Sequence, residues 1–433
     1  MPRYACSSIR SIRWLTHNTG WTMRLLLPRQ YHAWSCSPEI SAARVNWSGP
    51  LAADSLARLE PDLTHARYKN PLDALALLRA VSQGYPIPLL SDFSHAQIHW
   101  IIKTGFAPLV CFLSRTDSRR FESPLWCDLE SANLSVRFSN DLQHETLRHL
   151  LKCSQGLLPP ITLLKGCSVA SEFYPETHLR VMRDLDVLVE AKDQPIIESL
   201  LFEMGFRQQS TNTAAYYLMH HHSMPFYHPP TGVWVEIHHG LFPQTSRLSA
   251  LPVFSRDNIA AESRLCQVDG IAVKRFTPEL QIVYTASHWA LGLIDLKHRG
   301  GLFALLDTIF ILHGAQQGLR WKMIFDWVRN SVAATHLYLL LSYLQNKNIV
   351  RIDQDILREL FGQQKSFGIT NLRIAHWLIT RYLVAGSVPI ARGKLSILWE
   401  NLLRDQGPSK NLATFFRQIF NLPVFPKSQL GMP

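Results

Sequence analysis

The sequence predicts an α+β protein in which a small mixed sheet is flanked by N-terminal and C-terminal helical regions. Three changes of texture along the 433 residues carry this expectation. Residues 51–158 place apolar side chains at three- and four-residue spacing, residues 159–276 turn to short β-branched runs broken by Pro and Gly, and residues 277–405 return to a helical period. Ahead of them residues 1–50 form a basic leader with no sustained period, and residues 406–433 a mildly basic tail.

In the first helical region, Pro71 to Leu78 and Gln97 to Ile102 show the spacing most clearly. The central region opens with a strand at Ile161–Leu164 that stops at Lys165-Gly166, after which Cys167 to Phe173 turns into a helix. A second strand is expected over Asp186–Glu190. Asp193 then caps a helix with Pro195 in its first turn, and Gly205 ends it after Met204. Met224–His228 and Val233–His238 flank the turn Pro229-Pro230-Thr231-Gly232 as a hairpin. A last strand lies near Ile271–Phe276. Thr277-Pro278-Glu279 opens the C-terminal helices, whose period shows in Leu302, Leu305, Leu306, Ile309 and Phe310.

With 47% hydrophobic and 18% charged residues the chain reads as globular. The net charge of +11 favours polyanionic partners, but Arg3, Arg10, Arg13, Arg24 and Arg29 all precede the first acid, Glu39, so the folded part is only mildly basic. We read this leader as sequence upstream of an internal start at Met23, in preference to a transit peptide or a membrane-surface segment. No apolar run has the length of a membrane span. Seven scattered cysteines, without a CxxC pair, argue against a disulfide framework or a zinc knuckle and lead us to expect a cytoplasmic protein.

Chemistry concentrates in the central region. Side chains of a strand alternate between faces, so Asp184 and Asp186 project to one side and Leu185 and Val187 to the other. Two carboxylates aimed at one point repel, and a hard divalent cation relieves them. In Val233–His238 the same alternation sets Trp234, Glu236 and His238 opposite the apolar Val233, Val235 and Ile237, which makes Glu236 a third acid if the two strands are neighbours. Lys165-Gly166, where a strand meets a helix, offers backbone N–H groups to phosphate, and Arg180 and Arg183 precede the acids as candidate phosphate partners. The blander alternatives are solvated strand ends for the acids and Lys165, and for the arginines a structural network with Glu176 or with the aspartates. His220-His221-His222, His238-His239, His288 and His298 suggest a metallohydrolase, but H-E-x-x-H is absent, as are G-x-S-x-G, Walker A and G-x-G-x-x-G motifs. A lone histidine in a helix, such as His288, is ordinarily a core or interface residue.

Three stretches resemble the bacterial uncharacterised nucleotidyltransferase-like proteins of the polymerase-beta nucleotidyltransferase superfamily. They are Leu163–Gly166 with Tyr174-Pro175, Leu179–Val189, and Val235-Glu236-Ile237-His238. A looser stretch joins His288 to Leu306-Asp307 and Trp321, so that the likeness spans roughly residues 90–345. The resemblance implies a nucleotidyltransferase core over residues 159–276, with Asp184, Asp186 and Glu236 as catalytic, metal-binding acids. It also implies Lys165, Gly166, Arg180, Arg183 and His238 about the nucleotide, Mg²⁺ or Mn²⁺ as cofactor and an NTP as donor. The acceptor stays open among a small molecule, a sugar, RNA and protein. The chain departs from the superfamily in carrying Gly166-Cys167-Ser168 where Gly-Ser or Gly-Gly is usual, and in a long gap to Asp184. The alternative is a catalytically inactive nucleotidyltransferase fold serving as a binding or antitoxin-like partner module.

Overall fold

The computed structural model describes residues 72–83, 93–122, 125–218, 220–292, 300–315 and 318–363, with short pieces at 15–17, 20–22 and between 372 and 380. The expected tail at 406–433, His298 and most of the leader lie outside the described residues. The chain divides into two compact units, Met1–Lys69 and Asn70–Pro433. In the first, β1 (Leu15–His17) pairs antiparallel with β2 (Gly20–Thr22).

The second unit begins with α1 (Leu72–Gln83), α2 (His95–Thr104), α3 (Ala107–Leu113) and the long α4 (Trp126–Ser154). Ser94 and Gln97 form a reciprocal capping box at the start of α2, and Gly105, at φ 86°, ends it in the left-handed conformation that glycine adopts without penalty. Next come β3 (Thr162–Leu163), α5 (Lys165–Phe173), β4 (Leu185–Leu188) and α6 (Gln194–Glu203). After them lie β5 (Arg207–Gln208), α7 (Ala214–Leu218), β6 (Phe226–His228), β7 (Val233–His238) and α8 (Arg256–Ala261). The sheet closes with β8 (Ser263–Val268) and β9 (Ile271–Phe276). The last described helices are α9 (Pro278–Gly292), α10 (Gly300–Gly314), α11 (Trp321–Val328), α12 (Val332–Asn346) and α13 (Gln354–Gln363).

The sheet has seven strands in the order β5-β6-β7-β4-β3-β9-β8 and is mixed, with β4–β7 and β3–β9 parallel and the other pairs antiparallel. The α+β architecture expected from the sequence is therefore present. Several details differ. Strand β4 starts at Leu185 and ends at Leu188, so that Asp184 stands just before it. Asp193 sits at the start of α6 in a helical conformation and its side chain makes no cap bond; Pro195 alone carries that start. Strands β5 and β8 were not expected: β5 is two residues long, and β8 is an edge strand with Arg264, Leu265 and Gln267 exposed, so neither shows a buried alternation.

Two cores hold the unit. One lies on a single face of the sheet, where Leu185 and Val187 of β4 and Val233, Val235 and Ile237 of β7 meet Leu147, Leu150 and Leu151 of α4 and Ile197 and Leu201 of α6. Each such aliphatic side chain contributes about 1.5–3 kcal/mol by leaving water. The second core is helical and continuous from Leu77, Ile98 and Trp126 near the N-terminus to Tyr284, Leu305 and Leu340 near the C-terminus. The two flanking helical regions thus share one interior. Among the described residues no single helix is long and apolar enough to cross a membrane; α2 and α3, bent by 112°, reach that length only together, and their Ile101 and Val110 pack in the helical core.

Candidate functional site

With its apolar face buried, the sheet turns Asp186, Glu236 and His238 to the other side. Parallel pairing of β4 and β7 sets Asp186 opposite Glu236 and Leu188 opposite His238, so one carboxylate from each strand occupies the same level of the sheet. Candidate metal-ligand atoms of Asp186, Glu236 and His238 lie within 4.8 Å of one another. Leu164 N–H donates to the Asp186 carbonyl at 3.0 Å, which ties the start of α5 to β4. Lys165, the first residue of α5, has φ 46°, an uncommon conformation for a side-chain-bearing residue and a local strain at the site.

Lys165 reaches into the acids. Its Nζ donates to Asp186 Oδ1 at 2.6 Å and stands 3.8 Å from Glu236 Oε2. His238 Nε2, fully buried, lies 2.8 Å from the same Asp186 oxygen and 3.6 Å from Glu236 Oε2. Burial opposes the charge on Asp186, but Lys165 and then His238 overcome it and hold the carboxyl far below the ordinary range. Burial likewise works against the Lys165 ammonium, yet Asp186, Tyr284 and Glu236 keep its pKa well above that of a free lysine. Asp184 behaves in the opposite sense. Burial first and the Asp186 charge second push it up to about 7, so it changes charge near neutrality.

The loop ahead of the acids is fixed by residues that carry no motif. Asn140 Nδ2 donates to the Arg180 carbonyl at 3.0 Å, and Gln143 Nε2 to the Met182 carbonyl at 3.1 Å, both from the buried side of α4. Arg180 pairs with neither Glu176 nor the two aspartates. Its guanidinium forks onto buried Asp307 of α10, with Nε to Oδ1 at 2.8 Å and Nη2 to Oδ2 at 3.0 Å, lies over the Phe303 ring, and shares Asp307 with the Tyr174 hydroxyl at 2.7 Å. Glu176 instead meets Arg137 and His178. Arg183 is exposed beside Asp184. A Cβ on Gly166 would lie 3.0 Å from Met182 Cγ and 3.7 Å from an Arg180 nitrogen, so its missing side chain admits the loop that delivers the acids.

A histidine cluster adjoins the acids. An isolated antiparallel bridge pairs His222 with His238, and Ser223 N–H donates to the Ile237 carbonyl at 2.9 Å. The His222 and His238 rings are 5.3 Å apart, and His222 Nε2 stands 3.9 Å from Glu236 Oε2. Burial, and then His222, lower His220 to about 4; burial, and then His238, depress His221 further. A cavity of about 570 Å³ opens beyond them, lined among others by His220, His221, His239, Phe242, Arg256 and Lys274. Sequence reasoning did not single out Asn140 or Gln143, whose one signal is an amide on the apolar stripe of a helix. Asp307 and Tyr174 stand in the quoted stretches, but their joint hold on Arg180 is a contact across more than a hundred residues. His288 is partly buried in α9, where burial lowers it to about 3, and Trp321 opens α11.

No curated protein and no solved structure matches the chain. The family model described as uncharacterised nucleotidyltransferase matches residues 96–346, which is more than half of the chain and includes the whole sheet together with the helices that pack on it. The protein belongs to the uncharacterised nucleotidyltransferase family.

Proposed function

We propose that the chain transfers a nucleoside monophosphate from an NTP to an acceptor hydroxyl, using Asp184, Asp186 and Glu236 around Mg²⁺ or Mn²⁺. The observation that carries this reading is the β4–β7 register, which puts Glu236 level with Asp186 on the face of the sheet away from the core. Carboxylate oxygens are the ligands that hard divalent cations take: Asp186 and Glu236 stand together with His238, and Asp184, just before β4, is the acid that would complete the set. When bound, the cation supplies charge stabilisation for the transferring phosphoryl group.

The chain's own residues do the rest. Asp186 is oriented by Lys165 and His238, so its carboxylate is fixed before any ligand arrives. Lys165, at the N-terminus of α5, carries an ammonium whose charge balances the acids and which would be available to a phosphate bound beside them. Exposed Arg183 meets the triphosphate from the solvent side. Arg180, locked onto Asp307, acts by holding the Val181–Asp184 loop in place.

Titration calorimetry of each NTP with Mg²⁺ or Mn²⁺ tests the reading. Cation-dependent binding is expected in the wild type and is expected to be lost in Asp184→Asn/Asp186→Asn. Nucleotide binding that is indifferent to the cation and to both substitutions would instead describe an inactive partner module.

A further inference from the structure

Beside the acid cluster stands a set of nitrogen donors that the transfer reaction does not use. His220, His221 and His222 follow one another, yet one ring nitrogen of each lies within 4.8 Å of the others, and the ring centroids are 4.2–5.0 Å apart. Consecutive side chains of an extended strand would point to alternate faces. Here the His221 carbonyl accepts from both His239 N–H at 3.0 Å and Gly240 N–H at 3.2 Å, and the three imidazoles are gathered against β7.

The hydrogen-bond inventory of these rings is incomplete in a particular way. The Nδ1 atoms of His220 and His221, like those of the adjoining His238 and His239, are buried without a hydrogen-bond partner, which costs about 1–3 kcal/mol for each such group unless something takes its place. His222 differs: its Nδ1 donates to the Ser223 carbonyl at 2.7 Å. That bond fixes the proton on Nδ1 and leaves Nε2 with its lone pair on the side of Glu236 Oε2 at 3.9 Å, the arrangement by which a backbone carbonyl orients a metal-ligating histidine.

We propose that His220, His221 and His222 form a binding site for a divalent transition ion of the zinc class, adjoining the oxygen-donor site of the acids at Glu236. Imidazole nitrogens suit Zn²⁺ and its neighbours, whereas Mg²⁺ takes oxygen. Three nitrogens about 2.0–2.1 Å from a tetrahedral ion stand ~3.3 Å apart, a spacing that modest χ rotations of rings already in contact supply. Glu236 Oε2 is the nearest carboxylate to His222 and offers a fourth ligand, so the nitrogen set and the oxygen set meet at that residue. His220 and His221 also line the cavity, which places the ion in the wall between that space and the acids.

The test uses the full chain without a polyhistidine tag, stripped with chelator and titrated with Co²⁺ and with Zn²⁺ in competition with a chromogenic chelator. One equivalent of Co²⁺ with the strong visible absorption of a nitrogen-ligated four- or five-coordinate ion is expected, displaced by Zn²⁺. His220→Gln/His221→Gln is expected to weaken binding by more than the roughly 100-fold that loss of an outer contact costs at most, with the circular dichroism melt showing a folded chain. Asp184→Asn is expected to leave the Co²⁺ spectrum unchanged, which separates this site from the acid cluster. The proposal is overturned if wild type gives only the weak spectrum of octahedral oxygen-ligated Co²⁺, or binds no equivalent at micromolar concentration. It is equally overturned if a folded His220→Gln/His221→Gln protein binds as wild type does.

Discussion

Asp184 and Asp186 are one residue apart in sequence and far apart in chemistry. Lys165 and His238 hold Asp186 far below the ordinary carboxyl range, while Asp184 rises to about 7 under burial and the neighbouring charge. A carboxyl whose folded pKa lies above its unfolded value of 3.8 contributes stability below that value and loses it as pH climbs through about 7. The melting temperature of Asp184→Asn minus that of the wild type should therefore grow from pH 5 to pH 8 in scanning fluorimetry with chelator present; a flat difference would deny the shift. If Asp184 is a ligand as proposed, the stabilisation that added Mn²⁺ gives the wild type should run the same way, small at pH 5.5 and full at pH 8, because a cation takes the deprotonated carboxylate. Lys165→Met removes the counter-charge of Asp186 and Glu236, and should lower both the melting temperature and nucleotide affinity, each readable without a turnover assay.

At the scale of elements, the site depends on how α4 and α10 grip the loop before β4. Asp307→Ala strips Arg180 and Tyr174 of their common partner and leaves a guanidinium uncompensated in a mostly buried setting. A loss of about 3 kcal/mol in urea unfolding is expected. Gln143→Ala, which orphans one buried carbonyl, should cost about 1–2 kcal/mol, and a null effect of both would mean the loop is held elsewhere. Much at this scale was legible in the sequence. The turn at Gly232, the end of α6 at Gly205 and the opening of α9 at Pro278 are local signals with a direct conformational cause. The alternation of Val233–His238 announced which side chains face the core. Strands β5 and β8 were invisible because short or solvent-facing strands leave no apolar period, and the missing Asp193 cap shows proline sufficing where a side chain had been assigned the work.

Across the whole molecule, long-range pairing is the part that sequence periodicity does not reach. That β7 lies parallel to β4, with Glu236 level with Asp186, depends on a connection of more than forty residues through α6, β5, α7 and β6. The same holds for the helical core, in which Leu77 and Ile98 share an interior with Leu305 and Leu340 although the sequence separates them into two regions. A fragment limited to residues 159–346 lacks the N-terminal half of that core and should fail to fold as a soluble monomer. A chain beginning at Asn70 contains every described residue of both cores and should give a cooperative melt like that of the full chain.

The central claim, nucleotidyl transfer from the acid cluster, is tested most directly by labelling. The protein is incubated with each α-³²P-labelled NTP, Mg²⁺ or Mn²⁺ and a cell extract, beside Asp186→Asn and Glu236→Gln. A labelled acceptor that needs the cation is expected, with labelling at least about 100-fold weaker in both variants, as when a group that stabilises transition-state charge is removed. Labelling of equal strength in wild type and both variants, or none from any NTP with either cation, would contradict it.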